Sequence, residues 1–179
     1  MKMRKPYIIL LCSILLCSCG NSSNNIVDND WEKNKVYKWD NFSLPDDKEG
    51  ITLELADFPD VTFNWTSLAI TAEEKGSEKV LADGMPVINA YFTDLTGDGF
   101  PELCSTVAFG SGIIDEHVVV YDYKNDMQYM LWDRMKYDYN LIMENGELLV
   151  EKRSYGVYEE NICETGRLVI AGNELRFEK

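Results

Sequence analysis

The sequence predicts an all-β fold, mostly antiparallel and wound as a meander. Three observations carry that prediction. Apolar and polar residues alternate at period two through most of the chain beyond Gly50. Clusters of Gly, Asn and Asp punctuate these runs at short, regular intervals. No window shows a 3.6-residue apolar stripe bounded by helix caps.

The elements follow in order. Residues 31–47 mix Trp, Lys and Asp without a period and read as irregular, with one short strand near Lys35–Trp39. Ile51–Leu55 and Val61–Trp65 alternate cleanly. Leu68–Thr71 and Lys79–Ala82 flank the polar turn Glu73–Glu78. Val87–Thr93, Glu102–Phe109, His117–Tyr123, Met127–Trp132, Tyr137–Met143, Glu147–Lys152, Ile162–Ala171 and Glu174–Phe177 complete the set. The breaks are Asp83-Gly84, Gly97-Asp98-Gly99, Gly110-Ser111-Gly112, Asn125-Asp126, Asn145-Gly146 and Gly172-Asn173. Asn145-Gly146 is the strongest hairpin signature, since a two-residue turn needs positive φ at both positions. Neighbours in sequence are expected to pair. A sandwich, a barrel and an incomplete propeller-like sheet all satisfy this pattern.

A length of 179 residues suits one domain, large enough to fold without a disulfide scaffold. The net charge of −14 argues against nucleic acid, whose phosphates demand clustered Lys and Arg. The single histidine excludes the usual two-His and three-His metal sites.

The N-terminus reads as an address. Lys2, Arg4 and Lys5 precede an apolar stretch from Tyr7 to Leu16, too short to span a bilayer and suited to export. Leu16-Cys17-Ser18-Cys19-Gly20 resembles the lipobox of bacterial lipoproteins. The resemblance implies cleavage before Cys19 and a diacylglyceryl thioether on it, with acyl chains such as palmitate holding the protein to the membrane. The expected organisation is a signal peptide over 1–18, a lipidated Cys19 and flexible tether over 19–30, and one β domain over 31–179. Losing Lys2, Arg4 and Lys5 takes the charge from −14 to −17. Anionic headgroups would repel such a surface, so the lipid supplies the anchorage.

Asp94-Leu-Thr-Gly-Asp-Gly-Phe-Pro-Glu102 is the sharpest internal motif. Its spacing sets the oxygens of Asp94, Thr96, Asp98 and Glu102, with the carbonyl of Phe100, where a tight loop wraps Ca²⁺. The stretch resembles the calcium loop of FG-GAP and related VCBS-type repeats. It departs from that pattern at Thr96, which carries no charge, and at Ser105, where an EF-hand has a bidentate Glu. Only one good copy is present, Asp122–Asp126 being an echo without the glycine, so a full propeller is not expected. The alternative is a metal-free turn whose carboxylates accept backbone N–H groups.

A wider likeness covers Thr62–Ser67, Gly84–Val87, Tyr91–Gly99, Pro101–Val107, Phe109–Ile113 and Val120–Tyr123. These segments resemble an extracytoplasmic module of Firmicute proteins, sometimes attached to bla-regulator-type membrane metallopeptidases. The peptidase chemistry does not carry over, because it needs a His-Glu-x-x-His helix and His117 stands alone.

The remaining chemistry-bearing residues have modest expectations. His117 reads as a surface residue at a strand end. Cys104 and Cys163 form a candidate disulfide, permitted outside the cytoplasm, or else two small buried apolar residues. Tyr121, Tyr123, Trp132, Tyr137 and Tyr139 form a candidate aromatic platform for sugars, or cross-strand pairs within a sheet. Asp94, Asp98 and Glu102 crowd one loop and repel each other unless a cation intervenes, which favours a metal or a turn over glycosidase chemistry.

The functional expectation is a lipid-anchored, non-catalytic binding module outside the cytoplasm. Its partners would be the membrane through the lipid, and an envelope protein, peptide or glycan. The alternatives are a carbohydrate-active hydrolase and a structural accessory of a membrane sensor.

Overall fold

A computed structural model describes residues 25–26, 37–38, 50–156 and 161–179. The signal peptide and Cys19 lie outside the described residues, as does most of the expected tether.

The alternation read in the sequence forms strands throughout. The first sheet holds β1 (Asn25–Ile26), β3 (Ile51–Glu54), β4 (Val61–Trp65), β5 (Ala69–Glu74) and β6 (Ser77–Asp83), in that order. The second holds β10 (Met127–Leu131), β9 (Asp115–Asp122), β8 (Glu102–Phe109), β7 (Val87–Thr93) and β2 (Tyr37–Lys38). The third is a plain meander of β11 (Tyr137–Glu144), β12 (Glu147–Ser154), β13 (Ile162–Ala171) and β14 (Glu174–Glu178). All pairings are antiparallel except β1 with β3, which are parallel. Asn25 and Ile26 pair with Leu53 and Glu54, so these two residues of the expected tether belong to a sheet edge. Among the described residues no sheet closes on itself, so the sandwich, not the barrel, is the arrangement formed.

Turn chemistry sets the register. Lys75-Gly76 and Asn145-Gly146 each have positive φ at both positions, the geometry of a two-residue hairpin turn, and pair Glu74 with Ser77 and Glu144 with Glu147.

The second sheet is the middle layer of an antiparallel sandwich. Phe63, Ile70 and Leu81 from the first sheet pack with Phe92, Leu103 and Val107 from the second. On its other face Tyr91, Cys104, Val118 and Val120 pack with Tyr139, Leu141 and Val150 from the third. This explains why β8 and β9 are buried almost end to end: both faces of each strand are covered. A polar bridge joins the two layers inside the second core. Asn89 donates through Nδ2 to the carbonyl of Leu141 at 3.0 Å and accepts the Thr106 N–H at 2.9 Å. Thr106 Oγ1 in turn accepts the Leu141 N–H at 2.9 Å.

Candidate functional site

The loop from Asp94 to Glu102 connects β7 to β8 and leaves the middle sheet at its end. Gly97 and Gly99 have φ of 76° and 86°, so both bends need glycine. The carboxylate of Asp94 gathers the loop: Oδ1 accepts the N–H groups of Gly97 and Asp98, and Oδ2 that of Gly99. Asp98 Oδ1 accepts the Phe100 N–H at 2.9 Å. Glu102, almost fully buried, accepts the Leu95 and Thr96 N–H groups through Oε2 and the Thr96 hydroxyl through Oε1.

Asp94, Asp98 and Glu102 thereby each bring one oxygen within 4.8 Å of the others. Thr96 joins them through its hydroxyl bond to Glu102, and Phe100 sits between Asp98 and Glu102 with its ring turned to Lys124. The Lys124 ammonium, from the turn after β9, lies 3.0 Å from Asp98 Oδ2 and 3.8 Å from the centroid of the Phe100 ring. Burial alone would raise the Asp98 carboxyl, but Lys124 and the Phe100 N–H outweigh it and hold the group below its ordinary value. At Glu102 the balance is reversed. Burial dominates the bonds from Leu95 and Thr96, with Asp122 nearby, and pushes the carboxyl up. The carboxyl triad and the single lysine thus form a small polar cluster in which the ammonium supplies the compensating charge.

The expected aromatic platform does not assemble. Tyr121 and Tyr123 belong to the core between the first and second sheets, where Tyr123 packs edge-on against Phe58 and Phe63. Their hydroxyls donate to Asp126 and to Glu74, respectively. Tyr137 and Tyr139 belong to the opposite core, with the Tyr139 hydroxyl donating to Asp133 Oδ2 at 2.6 Å. The period-two reading of each pair was right, but the middle sheet separates the pairs.

Trp132 is at a site that the sequence reading missed. It follows β10, is 43% exposed, and donates its indole N–H to Asp115 Oδ1 at 2.7 Å. Its ring stacks on His117, with centroids 5.0 Å apart, and His117 stacks on Phe109 at 5.6 Å. His117 is therefore not a surface residue: only 3% of it is exposed. Phe109 at the end of β8 and Trp132 just beyond β10 cover it, a fact the local sequence does not carry. Its Nδ1 lies 3.7 Å from Asp115 Oδ1, too far for a hydrogen bond, and has no other partner among the described residues. Burial lowers the imidazole pKa against the opposing pull of Asp115. These rings, with Ile113, Met130, Arg134 and Tyr155, line an open cleft of about 440 Å³. The sequence signature that points here is the period-two spacing of Asp115 and His117, which puts both on one face of β9.

The two candidate thiols are not bridged. Cys104 is buried in the middle sheet, whereas Cys163 is exposed on β13 with Sγ 3.3 Å from Ser154 Oγ. Only Cys104 is the small buried apolar residue of the alternative reading.

No protein-family model, curated protein or solved structure matches the chain.

Proposed function

We propose that the protein is an extracytoplasmic lipoprotein, held to a bacterial membrane through Cys19, whose β domain is a non-catalytic binding module. The observation that carries the reading is Leu16-Cys17-Ser18-Cys19 at the end of a short apolar stretch behind Lys2, Arg4 and Lys5. An acidic body has no attraction to anionic lipid, so a covalent anchor accounts for residence at the membrane. Metabolic labelling with an alkyne fatty acid tests it. The label is expected on the wild-type chain and absent from Cys19→Ala; label surviving that substitution overturns the anchor.

The non-catalytic reading is supported by the cleft. Asp115 and His117 lie side by side, but among the described residues no Ser, Thr or Cys lines the cleft to supply the imidazole with an aliphatic hydroxyl or thiol to activate. The acidic triad crowds one loop, with an oxygen of each carboxylate within 4.8 Å of the others, closer than the pairs that flank a glycosidic bond.

Calcium on the Asp94–Glu102 loop belongs to the same proposal. Three carboxylates converge on the loop, and a divalent ion would replace the charge that Lys124 supplies. Partners at the outer surface, whether an envelope protein, a peptide or a glycan, would be captured by pull-down from solubilised envelope.

A further inference from the structure

The cleft around Trp132 carries its own ligand chemistry, and the inference drawn from it rests on the reading of the domain as a binding module. Its volume of about 440 Å³ falls in the range of small-molecule sites. Its mouth is unusually apolar for an acidic protein: Phe109, Ile113, Met130 and Trp132 are all more than one-third exposed, Ile113 reaching 59%. Such side chains converge where a ligand covers them.

Trp132 already makes two ring contacts. His117 stacks on the ring at 5.0 Å, and the Arg134 guanidinium sits 5.7 Å from its centroid. A cationic ligand would have to compete with Arg134 for the ring and would meet its like charge, which disfavours it at this site. Arg134 makes no ion pair among the described residues, and it stands at the rim in a chain of net charge −14. The one carboxylate in the lining, Asp115, is buried and holds the indole N–H.

We propose that this cleft binds a small amphipathic carboxylate. Its apolar body lies against Phe109, Ile113 and Met130, and its anionic end meets Arg134. The buried imidazole of His117 holds the wall of the cleft through its two stacking contacts.

The probe is 2-naphthoate, compared with its neutral counterpart 2-naphthylmethanol, titrated into the ¹⁵N-labelled protein and followed by NMR. Saturable shifts are expected at the Trp132 indole N–H, at Gly110 and at Ile113. Arg134→Gln, at an exposed position, is expected to weaken the acid about tenfold while moving the alcohol by less than about twofold. Ile113→Asp, also exposed, is expected to abolish binding of both. Shifts away from the cleft, no saturation, or equal weakening of acid and alcohol by Arg134→Gln would overturn the assignment. Fatty-acid labelling at Cys19 is read separately on the full chain. Loss of probe binding with labelling intact therefore defeats the cleft assignment alone, and loss of labelling with binding intact defeats the anchor alone.

Discussion

The imidazole of His117 stacks on the indole of Trp132 with ring centroids 5.0 Å apart and planes 26° from parallel. Phe109 closes the other face at 15°. A protonated ring in this position would be a nearly buried cation. Asp115, at 3.7 Å, is close enough to soften the cost but not to form a hydrogen bond.

The pH dependence of stability follows from that burial. Burial depresses the His117 pKa in the folded state below its unfolded value of about 6.5. The unfolded chain therefore binds more protons as the pH drops below about 6.5, and stability falls with it. The full contribution is present above that pH and is lost progressively toward the folded pKa. Melting temperatures between pH 7.5 and 5 are expected to fall more steeply for the wild type than for His117→Phe, which keeps the stack. Parallel curves would show that His117 does not titrate on unfolding.

Lys124 and a divalent ion compete for the same charge. The ammonium is 3.0 Å from Asp98 Oδ2, and Asp98 is one of the three carboxylates that each bring an oxygen within 4.8 Å of the others. Lys124→Gln is expected to lower the melting temperature slightly without Ca²⁺ and to tighten Ca²⁺ binding about fivefold, as removal of a nearby cation should. Asp98→Ala is expected to remove the response to millimolar Ca²⁺. A wild-type melting temperature indifferent to Ca²⁺, or the same response in Asp98→Ala, removes the metal from the loop and leaves the turn.

Asp94 has a structural duty that does not depend on metal. Its two oxygens accept three backbone N–H groups from Gly97, Asp98 and Gly99. These donors are exposed, so water replaces the lost acceptor in Asp94→Ala. The expected cost is about 1 kcal/mol, comparable to loss of a helix N-cap, by urea denaturation without Ca²⁺. A cost near zero would show that the loop closes on its glycines alone.

The order of the strands was legible because alternation and turn chemistry are local. Asn145-Gly146 fixed its hairpin as read, and Val87–Thr93 and Glu102–Phe109 have the bounds that the pattern predicts. The convergence of Asp94, Asp98 and Glu102 was legible for the same reason, since all three lie within nine residues. What was not legible is which sheet covers which. Tyr121 and Tyr139 carry the same period-two signature, yet they enter cores on opposite sides of the middle sheet. His117 owes its burial to Phe109 at the end of β8 and Trp132 beyond β10, partners fixed by pairing across β9 and not by adjacency.

The Asn89 bridge is where the second and third sheets are tied by polar groups inside a core. Asn89→Ala removes the donor to the Leu141 carbonyl and the acceptor for the Thr106 N–H, leaving both buried groups without that partner. The expected loss is about 2–3 kcal/mol. Asn89→Asp is expected to cost at least as much at neutral pH, because the carboxylate cannot donate to Leu141 and is itself buried. Two losses below about 0.5 kcal/mol by denaturant titration would show that packing of Tyr139, Leu141 and Val150 alone holds the layers.

The two thiols should differ sharply in reactivity. Cys104 is fully enclosed in the middle sheet, and burial pushes its thiol well above the ordinary range, so little thiolate exists to react. Cys163 is exposed on β13, where its sulfur lies near Ser154 Oγ and the Asn161 carbonyl. In a mature chain whose Cys19 is lipidated, an aromatic disulfide reagent is expected to titrate one thiol quickly in the folded protein and a second only on unfolding. Cys163→Ser is expected to abolish the fast phase and leave the slow one, whose rate then reports opening of the core around Cys104. Two fast thiols would mean that the covering of Cys104 by the third sheet is transient. No free thiol in protein isolated without reductant would mean that the sheets can shift far enough to join a buried residue to an exposed one, which the packing on both faces of β8 opposes.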